Sequence, residues 1–223
     1  MDELIQYGPD LAVGFLNNVK LSLIIAVFSL IVGTILAAMR VSPTPVLRAA
    51  GTAYVNLVRN TPLTLVLAFC YLGLSDTLGL IFSTEVPLTN SFWLAVLGMS
   101  AYTAAFVCEA LRSGINTVPI GQAEAARAIG LTFSQSIRLI IFPQAFRAVI
   151  APLGSVLIAL IKNTTVVAAA GYTVDVAATM RETFDTTGVS IPIFLGIVVA
   201  FLVLILPIGW YTGWLARRLA VAR

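Results

Sequence analysis

Histidine is absent from this chain of 223 residues, and with it go the commonest metal ligand and the commonest general base near neutral pH. Charge is scarce: Asp, Glu, Lys and Arg together make up 10% of the residues, against about 25% in an ordinary soluble domain. Cysteine is nearly absent. Cys70 and Cys108 sit singly in apolar surroundings, without metal-site spacing, and read as small core residues rather than a disulfide. The only two lysines, Lys20 and Lys162, follow Val and Ile, so there is no Gly-Lys-Ser/Thr phosphate loop and any ATP must be bound elsewhere. Paired carboxylates and a nucleophile beside a base are also lacking, which leaves a membrane enzyme without support. The net charge of +3 is no nucleic-acid signal, because the arginines are spread over short segments. What is present is apolar: 59% hydrophobic residues and a mean hydropathy of +1.00. This is the composition of an integral membrane protein, sized as a single all-helical membrane domain over 1–223.

A membrane-spanning helix needs about 20 predominantly apolar residues. Five stretches qualify: Leu21 to Met39, Gly51 to Leu80, Phe92 to Cys108 continuing through Glu109 and Arg112, Phe146 to Ile161, and Ile191 to Leu215. The second is interrupted by the polar insert Arg59-Asn60-Thr61-Pro62. Between the fourth and fifth, Val166 to Tyr172 could re-enter the membrane, and the acidic segment 175–185 reads as a solvated loop. The N-terminus carries Asp2, Glu3 and Asp10 where a cleavable signal would be positive. With the N-terminus outside, Arg40, Arg48, Arg112, Arg127, Arg138, Arg147, Arg217, Arg218 and Arg223 fall on the cytoplasmic side, and only Lys20 and Arg181 outside. Basic residues favour the cytoplasmic face, so this orientation is expected. Trp93, Trp210, Tyr211 and Trp214 suit the interfacial belt; Gly33, Gly98, Ser100 and Gly196 suit close helix contacts. No internal repeat completes a carrier, and five spans are few for enclosing a solute path, so a second copy or a homologue is expected beside them.

The longest charged interval between apolar runs is Val118 to Pro143, which this orientation puts in the cytoplasm. Pro119 suits the first turn of a helix, Gln122 to Ile129 are helix formers, and Gly130 stands where a C-terminal cap is needed. Glu124 and Arg127 are spaced to pair, and Ser134 is placed to cap the next helix, which carries Arg138 to Pro143. One reading is a helix lying on the bilayer surface. Its face of Ala123, Ala126 and Ala128 is weakly apolar, however, and the lysine-rich polar face of an interfacial anchor is missing. A slim helix of small residues fits a protein groove better.

Glu124-Ala125-Ala126, Gly130 six residues on, and Ile141-Phe142-Pro143 together resemble the EAA loop of ABC importer permeases. Glu109-Ala-Leu-Arg112-Ser-Gly114, Gly121-Gln122-Ala-Glu124, Pro143-Gln144-Ala145, Lys162-Asn163-Thr164-Thr165 and Arg59-Asn60-Thr61-Pro62 are similar to the polar amino-acid branch of that family, and most similar to its actinobacterial glutamate-type members. The likeness runs from about Asn18 to the C-terminus. Departures are Phe142 where leucine is usual, and asparagines at 60 and 163 where glycine and aspartate are common. The resemblance implies a type I importer permease that is not itself catalytic. Two cytoplasmic ATPase subunits, which hold ATP and magnesium, would each receive a coupling helix at about 119–130 through Gly121, Glu124, Ala125, Ala126 and Gly130. It also implies a solute-binding protein at the outer face and, in glutamate-type systems, a homologous but different second permease. The rival class is an ion-coupled carrier. Such carriers keep ionisable relays within their spans, and the candidate acid here, Glu109, has Arg112 one turn away as its partner.

Two basic groups, Arg59 and Lys162, interrupt otherwise apolar spans. Intramembrane charge is costly, unless the side chain reaches the interface. Together with Asn56, Thr61, Asn163 and Thr164 they are the candidate substrate contacts. In the resembling family, permeases for cationic amino acids often carry acids at the positions of Asn56 and Asn163. Neutral amides beside two cations favour glutamate or aspartate, with glutamine as runner-up.

Overall fold

The computed structural model describes residues 2–219, with side chains from Ile5 onward; Arg223 and the side chains of Asp2 and Glu3 lie outside the described residues. Nine α-helices follow one another without a strand among the described residues: α1 (Asp2–Val41), α2 (Pro45–Arg59), α3 (Leu63–Ala68), α4 (Pro87–Asn116), α5 (Ile120–Ala128), α6 (Phe133–Ser136), α7 (Phe142–Asn163), α8 (Val176–Thr187) and α9 (Ile191–Leu219). Wider π turns continue α3 over Phe69–Thr77 and join α6 to α7 over Ile137–Ile141, and a tighter 3-10 turn extends α7 over Thr164–Ala170. Among the described residues, four segments are long and apolar enough to span: Ile5–Val41, Pro87–Asn116, Phe133–Ala170 and Ile191–Leu219.

The second expected span is not one straight helix. Its halves, Pro45–Arg59 and Leu63–Thr77, meet at 104°. Pro62 has no N–H to continue the ladder and sets an extended ψ of 137°, so the helix must stop there. The freed polar groups close on the preceding turn: Thr61 Oγ1 donates to the Leu57 carbonyl (2.9 Å) and Asn60 Nδ2 to that of Asn56 (2.7 Å).

α1 and α4 form the most extensive pairing, and small residues bring them together. A methyl group on Gly33 would meet Val107 Cβ at 2.6 Å. About two turns further along α4, Gly114 lies against Val149 and the Ala145 carbonyl of α7, and in α7 Gly154 lies against Thr212 of α9. Close approach at small residues is what packs helices where lipid removes the hydrophobic drive. One core cluster, toward the Lys20 end, joins Leu21, Ile25, Leu67, Met99, Leu160, Val167 and Tyr172. A second, toward the Arg40 end, joins Leu36, Ala37, Val55, Ala104, Ala105 and Cys108. Cys70 and Cys108 are free and buried.

The 163–190 region differs from expectation. Val166 to Tyr172 form no separate re-entrant turn; Thr164–Ala170 tightens the end of α7, with Val167, Ala170 and Tyr172 in the core. Nor is 175–185 a solvated loop. Asp175 is fully buried and caps α8, its carboxylate accepting from the Ala177 and Ala178 amides (3.1 and 3.4 Å). An N-cap aspartate satisfies donors that a helix start leaves free, and the sequence pattern hid it among exposed acids. α1 starts far earlier than Leu21, because Leu11 packs with Val176 and Ile193 of α8 and α9.

Candidate functional site

The polar stretch forms a projecting hairpin of helices. Pro119 is the residue before α5 rather than in its first turn, since its ψ of 137° is extended. α5 closes on Gly130, whose φ of +85° is the left-handed conformation glycine adopts without strain. The cap of the next helix is Thr132, not Ser134. Thr132 Oγ1 accepts from the Gln135 amide (3.3 Å) while Gln135 Oε1 accepts from the Thr132 amide (2.9 Å), a reciprocal capping box. Ala126 is buried, whereas Gly121, Glu124, Ala125 and Gly130 are exposed. Glu124 and Arg127 form no ion pair among the described residues, which leaves both heads free on the surface. Pro143 does not end a helix. The π turn at Ile137–Ile141 runs into it, and Gln144 Nε2 caps the loosened Ile140 carbonyl at 2.8 Å. A wider turn tolerates the missing proline N–H, so α6 runs into α7 through continuous helix and α5 joins it through the Gly130 turn.

Glu109 is the centre of a second constellation. Its Oε1 accepts from Arg40 and lies 3.5 Å from Arg59 Nη1, while Oε2 accepts from Arg112 Nη2 at 3.1 Å. Sequence spacing pairs Glu109 with Arg112 alone; Arg40 and Arg59 arrive from α1 and α2 through tertiary packing. Tyr54 fixes α2 on α4 by donating to the Ala101 carbonyl (2.8 Å). Three guanidiniums around one carboxylate leave an excess of positive charge. An acid so held is an ion-pair hub and not a free relay group, which removes the footing of the ion-coupled alternative.

The candidate substrate contacts do not all converge. Arg59 reaches over the Phe106 ring (5.7 Å to its centre), and Phe106 lines a cleft of about 290 Å³ between α4 and α7 with Tyr102, Thr103, Ser155, Leu160 and Asn163. Phe106 thus stands beside Arg59 and lines the same cleft as Asn163. Asn56 is exposed one turn before Arg59, and Thr61 turns back onto its own helix. Lys162 faces away, into a groove toward α8 and α9. Thr164 is fully buried and committed to structure: it donates to the Ile161 carbonyl (2.7 Å) and accepts from Asn18 Nδ2 (3.0 Å). Asn18, which sequence inspection passed over, also accepts from the Val176 amide (2.9 Å) and ties α1 to both ends of the 164–176 segment.

The family model for the binding-protein-dependent transport system inner membrane component matches residues 29–221. The chain is 49% identical over 221 residues to the glutamate transport system permease protein GluC of Corynebacterium efficiens, covering 97% of this chain and 96% of that protein. It is 32% identical over 196 residues to the glutamate/aspartate import permease protein GltJ of Escherichia coli K12, covering 86% and 79%. Among solved structures, an amino acid ABC transporter crystallised with histidines superposes with a TM-score of 0.84 at 25% identity, covering 96% of each chain. The MetNI methionine ABC transporter, at 19% identity and a TM-score of 0.72, shares the fold over 95% of this chain and 96% of that one. A chain of spanning helices with a projecting helical hairpin and no ATP loop, matched over most of its length, belongs to the family of inner membrane components of binding-protein-dependent transport systems, the permeases of ABC importers.

Proposed function

We propose that this chain is the permease subunit of an ATP-driven importer of acidic amino acids, glutamate above all, in a bacterial plasma membrane. Relatives bearing glutamate and glutamate/aspartate permease names at 49% and 32% identity support the substrate class. The observation that carries it within the chain is the charge beside the α4–α7 cleft. Arg40, Arg59 and Arg112 share the single carboxylate of Glu109, and the cleft presents the neutral amide of Asn163 and the hydroxyl-bearing Tyr102 and Ser155. Net positive charge in a low-dielectric setting attracts an anionic side chain and repels a cationic one.

In this reading the N-terminus is outside and the α5 hairpin is cytoplasmic. Gly121, Glu124, Ala125, Ala126 and Gly130 form the coupling helix that sits in a groove of a partner ATPase. Closure of two such ATPases around ATP and magnesium moves the hairpin, and continuous helix carries the motion into α7 as a lever. A second, homologous permease completes the pathway, and an extracytoplasmic binding protein delivers the solute.

Uptake competition among the twenty amino acids tests the substrate class; dominance of arginine or lysine would overturn it. Coupling is tested on the assembled complex with Glu124→Lys and Gly130→Asp. Substrate-stimulated ATP hydrolysis should fall at least tenfold while the subunits still copurify, and unchanged uptake in both variants would reject the assignment.

A further inference from the structure

Lys20 stands at the edge of the hydrocarbon layer. Arg40 follows it by 20 residues on the same helix, about 30 Å of α1 and the thickness of a bilayer's apolar core. The Lys20 ammonium lies 5.4 Å from the centre of the Phe92 ring on α4 and lines a cavity of about 460 Å³ with Asn17, Thr89 and Tyr172 as its other polar walls. Asn17 is committed to the Val174 carbonyl (2.8 Å). No carboxylate among the described residues pairs with Lys20, and no hydrogen bond among them engages the Thr89 or Tyr172 hydroxyl. Tyr172 is only 5% exposed, and a polar group so buried calls for a partner.

A second cavity, of about 370 Å³, shares Trp93 with the first. On α1 the walls follow one row at four-residue spacing, Lys20 and Ile24 in the first cavity, Phe28 and Val32 in the second. On α4 the row is Thr89, Trp93, Leu97 and Ala101. Residues four apart share a helix face. α1 and α4 run in the same direction, because Lys20 meets Phe92 at one end and Arg40 meets Glu109 at the other. The two rows therefore bound one groove that leaves Lys20 and descends about 18 Å to Val32. Tyr54 of α2, bonded to the Ala101 carbonyl, closes its inner end.

We infer that this groove binds an anionic phospholipid, with its phosphate on the Lys20 ammonium and the Thr89 and Tyr172 hydroxyls and one acyl chain laid along Phe28, Trp93 and Leu97. The charged end sits at the hydrocarbon boundary and the apolar end near the midplane, which is how a lipid of that leaflet stands. Basic sites between spanning helices suit anionic headgroups, and Trp93 suits the interface between head and tail. Only the name of the leaflet, the outer one, rests on the orientation proposed above. A spanning helix of a second permease is a poorer occupant, because it needs a track about 30 Å long and Tyr54 ends this one after a single leaflet. So is an acidic amino acid in transit. Phe106 of the α4–α7 cleft and Leu97 of the groove are nine residues apart, two and a half turns, and so lie on opposite faces of α4.

The test uses the purified complex in detergent titrated with phosphatidylglycerol or phosphatidylcholine, with bound lipid counted by native mass spectrometry. Wild type should retain phosphatidylglycerol at least tenfold more tightly than phosphatidylcholine at one site per copy of this chain. Lys20→Gln should remove that preference and Lys20→Arg keep it. Leu97→Trp fills the acyl track while leaving the ammonium in place, and should weaken both lipids. Equal phosphatidylglycerol retention by wild type and Lys20→Gln would overturn the site. Displacement of phosphatidylglycerol by free glutamate would also overturn it, since the pocket would then hold an amino acid. So would efficient disulfide cross-linking of Leu97→Cys between neighbouring permease chains in native membranes, because the groove would then be a protein interface.

Discussion

Arg59 Nη1 lies 3.5 Å from Glu109 Oε1, an ion pair between helices that a bend of 104° and 50 residues of chain keep apart in sequence. The same carboxylate holds Arg40, whose side chain is only 9% exposed. Glu109 therefore fastens the ends of α1 and α2 to α4. Glu109→Gln leaves a buried guanidinium short of its counter-charge. Removing one partner of a fully buried pair costs about 3–5 kcal/mol; with Glu109 22% exposed, about 2 kcal/mol is expected. The complex should melt several degrees lower. Arg181→Ala, which breaks the exposed pair with Asp185, should leave the melting temperature unchanged, as surface pairs contribute little.

Gly114 and Gly121 separate packing from coupling. A methyl group on Gly114 would stand 2.1 Å from Val149 Cγ2 and 2.9 Å from the Ala145 carbonyl, whereas one on Gly121 would meet nothing within 4 Å. Gly114→Ala should cost about 1–3 kcal/mol through overpacking, read as lower thermal stability and yield. Gly121→Ala should leave stability equal or raise it, since alanine is the better helix former by about 1 kcal/mol. If Gly121 seats the coupling helix, that same variant loses substrate-stimulated ATP hydrolysis at undiminished stability.

The spans and the α5 hairpin were legible because their signals are local. Apolar length marks a span, and proline, alanine-rich helix formers and glycine mark α5. The Arg59–Glu109 contact was not legible, because it depends on how α2 crosses α4, and spacing paired Glu109 only with Arg112. Asp175 failed for a related reason. An aspartate in an acidic run looks solvated unless one knows that α1 and α8 close over it. Lys162 and Asn163 are neighbours that helical rotation sends to different grooves, so a polar cluster in sequence was two separate surfaces in space. Thr132 was missed for the opposite reason: its partner Gln135 is three residues away, and the capping pattern was there to be read.

Gly130 tests the end of the coupling helix. At φ +85° an L side chain costs about 1–2 kcal/mol, yet open space surrounds the position. Gly130→Ala should therefore loosen α5 locally without lowering the melting temperature of the complex. Hydrogen exchange would show faster amides at Ile129, Gly130 and Leu131, which bond back to Ala125, Arg127 and Ala126. Unaltered exchange there would mean that the hairpin tolerates another turn.

Asp175 predicts a pH dependence at the other end of the molecule. Burial pushes its carboxyl above the usual aspartate range, opposed by the Ala177 and Ala178 amides and by Asn18, and its charge in turn helps raise the Tyr172 hydroxyl, which burial already raises. An acid whose native value lies above its unfolded value binds its proton more tightly when folded. Stability is then greatest below the unfolded value and declines as pH rises through the window up to the raised native value. α8 should thus be best protected in mild acid and lose protection toward neutrality. Asp175→Asn keeps a side-chain acceptor for the α8 cap and removes the buried charge. It should flatten the profile and match or exceed wild-type protection at neutral pH, measured by hydrogen exchange of the α8 amides across the titration. A variant that is uniformly less protected at every pH would show instead that the charge on Asp175, bonded to two helix amides, stabilises the fold more than its burial costs.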